Sequence, residues 1–249
     1  MTHEAPQAPR NRINSRLGAP SLLRLARWLF AGEPSTSALR RRAATALATS
    51  PTKAPRIRAL LHVLLGEIEP AAKLLSEAPG LGWSRSDHPG HILFPGFSWL
   101  LGGSATGSVC EELAQPLHQP LDDGDSGSLP SDVEGDGGPR LPQPSVLDLM
   151  RRADVMARLT RGDRIAMLTA MKAAAVRRTD GVLAEKRRRH YGHAAALIAC
   201  CVELEDGSGA PGAASRWADE LRAKTSRLPA FQDELRAALS QALPGTRRT

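Results

Sequence analysis

Aromatic side chains make up only 4% of the 249 residues, with a single tyrosine. That scarcity excludes the row of stacking platforms on which single-strand nucleic-acid binders lay bases. Cysteine is equally sparse. Cys110, Cys200 and Cys201 are an odd number with neither a disulfide framework nor zinc-ligand spacing, so a reducing, cytoplasmic setting is expected and the vicinal pair reads as buried and inert. No apolar run approaches the ~20 residues of a membrane span. There is no Gly-x-Ser-x-Gly elbow, no Gly-Lys-Ser/Thr phosphate loop and no His-Glu-x-x-His, and carboxylates are scattered over helix faces. The expectation is a non-enzymatic protein that needs no cofactor.

What the chain does have is helical periodicity. The stretch Val182 to Leu204 is the longest such pattern, with Tyr191, Ala194, Ala195, Ile198 and Val202 in one stripe at 100° per residue. Glu185, Lys186, Arg189, His193 and Glu203 fall on the other side, and Gly207 stops it. The pattern predicts one continuous helix with a core face and a wet back. Earlier helices are expected at Ser21–Phe30, about Ser37–Thr49 and Arg56–Leu65. Around Gly66 the spacing of Ile68, Ala71, Leu75 and Ala78 is that of the second helix of a tetratricopeptide-type hairpin, but no 34-residue period recurs. Asp87 is a candidate N-cap for the next helix, which Pro95 should kink or break.

No strand pattern stands out, so the fold class expected is all-α: antiparallel, tetratricopeptide-like or α-solenoid-like hairpins. Residues 1–19 read as a disordered N-terminus and 20–102 as one helical block. Residues 103–144, rich in Asp, Gly, Ser and Pro, read as a disordered acidic linker. A second block follows over 145–244, opened by caps at Ser145 and Asp163 and closed by a helix beginning at Pro229.

Two constellations bear on binding. His88/His91 and His190/His193 are i, i+3 pairs, each able to offer two ligands from one helix face, whereas a closed zinc site needs three or four. Only tertiary contact between the pairs makes a site. The plainer reading is that His88 serves a helix start, His91 packs near Phe94, and His190 and His193 decorate a basic face. The second constellation is charge. A formal net charge of +7 is concentrated in Arg40, Arg41, Arg42, in Lys186, Arg187, Arg188, Arg189, and in the tail pair Arg247 and Arg248. If the first two runs share one face they would neutralise phosphates, giving non-specific, salt-sensitive nucleic-acid binding; helix charge runs are more often solvated surface.

The segments HPGHILFP after GLGWS, AMKAAAVRR, KRRRHYGHAAALIACCVEL, Trp-x-x-x-Leu-Arg and LPAFQDEL resemble the C-terminal helical region of bacterial SWIM zinc-finger family proteins, over Arg56 to Leu243 outside the acidic stretch. The finger itself, a Cys-x-Cys pair followed by Cys-x-His, is absent, so the family's metal binding does not carry over. The resemblance implies a helical part of a larger assembly, with a MoxR-type AAA ATPase or a von Willebrand A-domain protein as partners by family association. Without it, the residues alone point to a helical scaffold for an unnamed protein partner, with nucleic-acid binding as the alternative. The stripe gives a direct check: Ile198→Ala should lower unfolding stability by about 2–5 kcal/mol in denaturant titration, the cost of a cavity at a buried aliphatic position.

Overall fold

The computed structural model describes residues 22–32, 34–50, 54–85, 87–102, 108–121, 144–207 and 213–243. The N-terminal segment, the Ser21 cap, most of the acidic stretch and the tail pair Arg247 and Arg248 lie outside them. Among the described residues all regular structure is helical, without strands, and no helix is long and apolar enough to cross a membrane.

The helices are α1 (Leu22–Phe30), α2 (Thr36–Thr49), α3 (Pro55–Leu65), α4 (Ile68–Ser76), α5 (Gly90–Leu101), α6 (Val109–Ala114), α7 (Val146–Arg152), α8 (Arg161–Ala184), α9 (Tyr191–Gly207), α10 (Ala213–Lys224) and α11 (Pro229–Ala242). Their starts follow local chemistry. Ser35 accepts the Ala38 N–H at the head of α2, and Pro55 and Pro229 occupy first-turn positions where a missing N–H costs nothing. Ser145 and Asp148 form a capping box for α7, and Thr160 and Asp163 form another for α8. Asp163 is therefore not the cap expected of it but the third-position acid that answers Thr160.

At Gly66, φ is +75°, a left-handed turn that lets α3 and α4 fold back on each other, as the spacing predicted. His62 Nδ1 and Glu67 Oε2, 2.7 Å apart, clasp the turn from either side. Beyond this hairpin the packing departs from a stacked array, in which each repeat touches only its neighbours. α4 lies along α8, nearly a hundred residues later, and α6 lies on α9. The loop before α5 crosses α8 with glycine on glycine: a Cβ on Gly80 would sit 2.0 Å from the Arg177 carbonyl oxygen, and one on Gly181 would meet Gly80 and Leu81 at 3.2 Å.

α9 is the centre of the molecule. α5, α6, α8, α10 and α11 all pack against it, and Tyr191, Ala194, Ala195, Leu197, Ile198, Ala199, Cys200, Cys201 and Val202 are buried. The predicted stripe is inside; of the expected wet back, Glu185, Lys186 and Arg189 are exposed ahead of α9, whereas His193 and Glu203 are half-buried, because the segment 194–202 is apolar or small all round and nearly all of it is covered. Even Glu203 is engaged, accepting the Val109 N–H at the head of α6 at 3.0 Å.

Three expectations are corrected. The continuous helix over Val182–Leu204 is two helices: α8 ends at Ala184, and Lys186 takes φ +51° in a terminal motif closed by Arg187 N–H to Val182 O. Of the kink or break expected at Pro95, the break does not occur: α5 runs through it, since the burial of Ile92, Leu93, Phe94, Phe97 and Leu100 outweighs the ~3 kcal/mol an interior proline costs. Within the stretch 103–144, Val109, Cys110, Ala114 and Leu117 are buried on α6 and the 3-10 turn after it. A bridge between Pro120 and Ser145, with Leu121 N–H donating to Pro144 O at 3.3 Å, then brings together the two ends of residues 122–143. Side chains from both expected blocks, Leu22 to Ala242, join one buried cluster. Because Lys186 holds a left-handed conformation that glycine adopts freely, Lys186→Gly should raise the unfolding free energy by about 1 kcal/mol in chemical denaturation.

Candidate functional site

The loop 79–89 carries Trp83 and His88 onto the side of α9, and the two histidine pairs meet there. The Trp83 ring lies 4.9 Å from that of His88 and 5.2 Å from that of His193, centroid to centroid, and His88 lies 6.2 Å from His91. His190, in the 3-10 turn that leads into α9, stands at the edge of the group. The two pairs thus share Trp83 as a common neighbour.

The arrangement does not assemble ligands. His88 Nε2 donates to the Pro79 carbonyl at 3.0 Å, while Nδ1 accepts the Gly90 N–H at 3.1 Å, so both ring nitrogens are used. His88 is the capping group at the start of α5, as its plainer reading held. Asp87, expected to be that cap, pairs with Arg85 instead at 3.4 Å. His190 Nε2 accepts from Arg189 Nε at 3.2 Å. Among the described residues no group of three or more His, Cys, Asp or Glu is arranged to hold a metal ion.

What surrounds these rings is positive charge. Burial lowers the proton affinity of His193, and Arg178 with the other histidines lowers it further, to a pKa of about 4. His88 and His91 are lowered by burial first, then by Arg178 and Arg56 respectively; for His88 the hydrogen bond to Pro79 pulls the other way. His190 is also lowered, by burial, Arg178, Arg189 and Arg187. Arg178 itself is 4% exposed. Its Nη1 donates to Gly80 O at 3.2 Å, and among the described residues no carboxylate pairs with it. Arg178 Nε, Trp83 Nε1 and His193 Nδ1 are buried and have no partner. The corner is rich in donors and poor in acceptors.

The two basic runs part company. Arg40 donates to the Ala153 and Asp154 carbonyls at the end of α7, at 3.0 Å for Nε to Ala153 O. Arg42 Nη1 reaches the Trp28, Leu29 and Ala31 carbonyls at the end of α1. Both guanidiniums neutralise helix C-termini, leaving Arg41 as the exposed member. Arg158 does the same for α3, donating to Leu65 O. Lys186, Arg187, Arg188 and Arg189, by contrast, are all exposed on the turn between α8 and α9, beside the histidine corner.

No protein-family model matches the chain. Neither a curated protein nor a solved structure matches it either. Function is read from these groups alone. Two of them escaped sequence reasoning: Trp83, and Arg178, one of seven Lys and Arg residues from Lys172 to Arg189, with nothing in its spacing to single it out.

His193 yields a pH test. Its pKa is about 6.5 in the unfolded chain and about 4 in the folded one, so between those values only the unfolded chain takes up the proton. Stability is fully present above pH 6.5 and falls as the pH drops toward 4. Between pH 7 and 5, urea titration should show a loss smaller by about 2 kcal/mol in His193→Phe than in the wild type.

Proposed function

We propose that this protein is a non-enzymatic helical scaffold that binds another protein. The observation that carries the reading is an open cleft of about 630 Å³ between the end of α1 and α7, lined by Phe30, Thr36, Asp148, Arg151, Arg152 and Asp154. It combines an aromatic ring with guanidinium and carboxylate groups of opposite sign, which supports a polar peptide segment as its occupant. Trp28 and Met156, each 44% exposed, lie within two residues of its lining at Phe30 and Asp154. The α3–α4 hairpin at Gly66 is what supports the finer, tetratricopeptide-like description. The resemblance to the helical region of SWIM zinc-finger proteins supports membership of a cytoplasmic assembly, with a MoxR-type AAA ATPase or a von Willebrand A-domain protein as the partners to try first.

A second reading is non-specific binding of nucleic acid or another polyanion at the α8–α9 turn. What favours it is the exposed Lys186–Arg189 run standing beside donors that lack acceptors, Arg178 Nε and Trp83 Nε1. Phosphates there would release counterions, so binding would weaken steeply with salt.

One pair of variants separates the readings. For the scaffold, a partner recovered reproducibly by the wild-type protein should be lost about tenfold or more with Arg151→Glu/Arg152→Glu and retained by Arg187→Glu/Arg188→Glu, a tenfold loss corresponding to ~1.4 kcal/mol. Recovery of nothing reproducible contradicts the scaffold. Retardation of duplex or single-stranded DNA at low salt, abolished by Arg187→Glu/Arg188→Glu, supports the polyanion reading.

A further inference from the structure

Between α5, α6 and α9 the core holds a small knot of sulfur and oxygen. Cys110 Sγ and Cys200 Sγ lie 3.2 Å apart, ninety residues from each other in the chain. Around them, the Cys200 thiol approaches Ser98 Oγ at 3.4 Å and Ser98 Oγ donates to the Cys110 carbonyl at 3.3 Å, so both helices are held in register against α5. Both sulfurs are fully buried. Cys201 is turned about 100° away around α9. It answers to Lys172 and Glu205 on the other side, and that pair, 2.5 Å apart, fixes its surroundings.

We infer that Cys110 and Cys200, thiols in this structure, are oxidised to an intramolecular disulfide that fastens α6 to α9 when a disulfide oxidant is present, a departure from the reducing setting expected from the cysteine count, while Cys201 remains a thiol. About 1.2 Å of further approach closes the distance to a ~2.0 Å bond. α6 is a helix of six residues, with its N-terminal amide held by Ser108 and Glu203, so it adapts to such a shift more easily than α9, which five helices enclose. Cross-linking residues this far apart removes a long loop from the unfolded ensemble.

The oxidant is a low-molecular-weight disulfide such as oxidised glutathione. The thiolate of one cysteine attacks a sulfur of that disulfide, forming a mixed disulfide and releasing one glutathione thiolate. The second cysteine thiolate attacks the protein-bound sulfur, forming the Cys110–Cys200 bond and releasing the second. The two protons given up by the cysteines pass to the two released thiolates, so two protein thiols are oxidised and one small disulfide is reduced. Because the contact with Cys200, and burial after it, push the pKa of the Cys110 thiol well up, exchange runs while α6 is undocked, during folding or local opening. Once α6 docks, the bond is shielded from reductant.

The test is to refold the reduced full-length chain in a mixture of oxidised and reduced glutathione, quench with acid, alkylate in denaturant, and weigh the intact protein. Expected is a monomer with one alkylated thiol, at Cys201, and a non-reduced digest that links the Cys110 and Cys200 peptides. Cys201→Ala should keep the link and Cys110→Ala should lose it. The yield should exceed that of the chain held in denaturant at the same redox ratio by at least about tenfold, since folded neighbours react at high effective concentration. Thermal unfolding should shift upward by several degrees in the oxidised form, as a stabilising constraint requires. Three alkylated thiols after refolding, a yield no higher than in denaturant, or a link through Cys201 each overturn the inference.

Discussion

The structure depends on a close approach of helices around α9. Ala194, Ala195 and Ala199 present almost no side chain, so α8 and α11 lie against α9's backbone while Ile198, Leu197 and Val202 fill the spaces between. A helix covered on nearly every side is barely solvated, and its few polar or charged groups must find partners within the fold. Glu203 finds the head of α6, Lys172 finds Glu205 and the face of Trp217, and Tyr191 packs edge-on against Phe231. The same enclosure explains the gathering of His193, Trp83 and His88. They lie where the loop before α5 reaches α9, and the glycine-on-glycine crossing at Gly80 and Gly181 lets it come so near.

The second organising theme is where positive charge goes. Arg40, Arg42, Arg158 and Arg178 each spend a guanidinium on main-chain carbonyls, three of them at helix C-termini where the macrodipole is negative. A basic composition is in this measure a device for closing a fold of short helices, and among the described residues only the turn Lys186–Arg189 presents a full basic run to solvent. Net charge is thus a poor guide to this protein's partner unless each arginine is followed to its acceptor.

Much of the fold was legible in the sequence, and the failures have physical causes. The all-helical class, the buried stripe of α9, the turn at Gly66, the Ser145 cap and the Pro229 start rest on local periodicity and capping, which the chain displays directly. The break at Glu185–His190 was hidden because a lysine takes the left-handed position usually marked by glycine. α6 was hidden by its short length, with only Val109, Cys110, Ala114 and Leu117 to signal burial among polar neighbours. The paired ends at Pro120 and Ser145, the meeting of His88 with His193 about Trp83 and the contact of Cys110 with Cys200 are tertiary facts between residues that spacing rules never compare. Of the candidate residues, His88 and His193 pack about Trp83 and His91 lies against His88, while His190 pairs with Arg189. Their role as caps and packed rings follows from partners that only the fold supplies.

The central claim is that α9 ties the early and late helices into one core. Native-state hydrogen exchange measured residue by residue tests it most directly. The account predicts that amides of α3, at Leu60 to Leu64, and of α9, at Leu197 to Val202, exchange only through global unfolding and report the same opening free energy. If the α3 amides keep their protection when those of α9 have lost theirs, the two regions open separately and the account of a single core is contradicted.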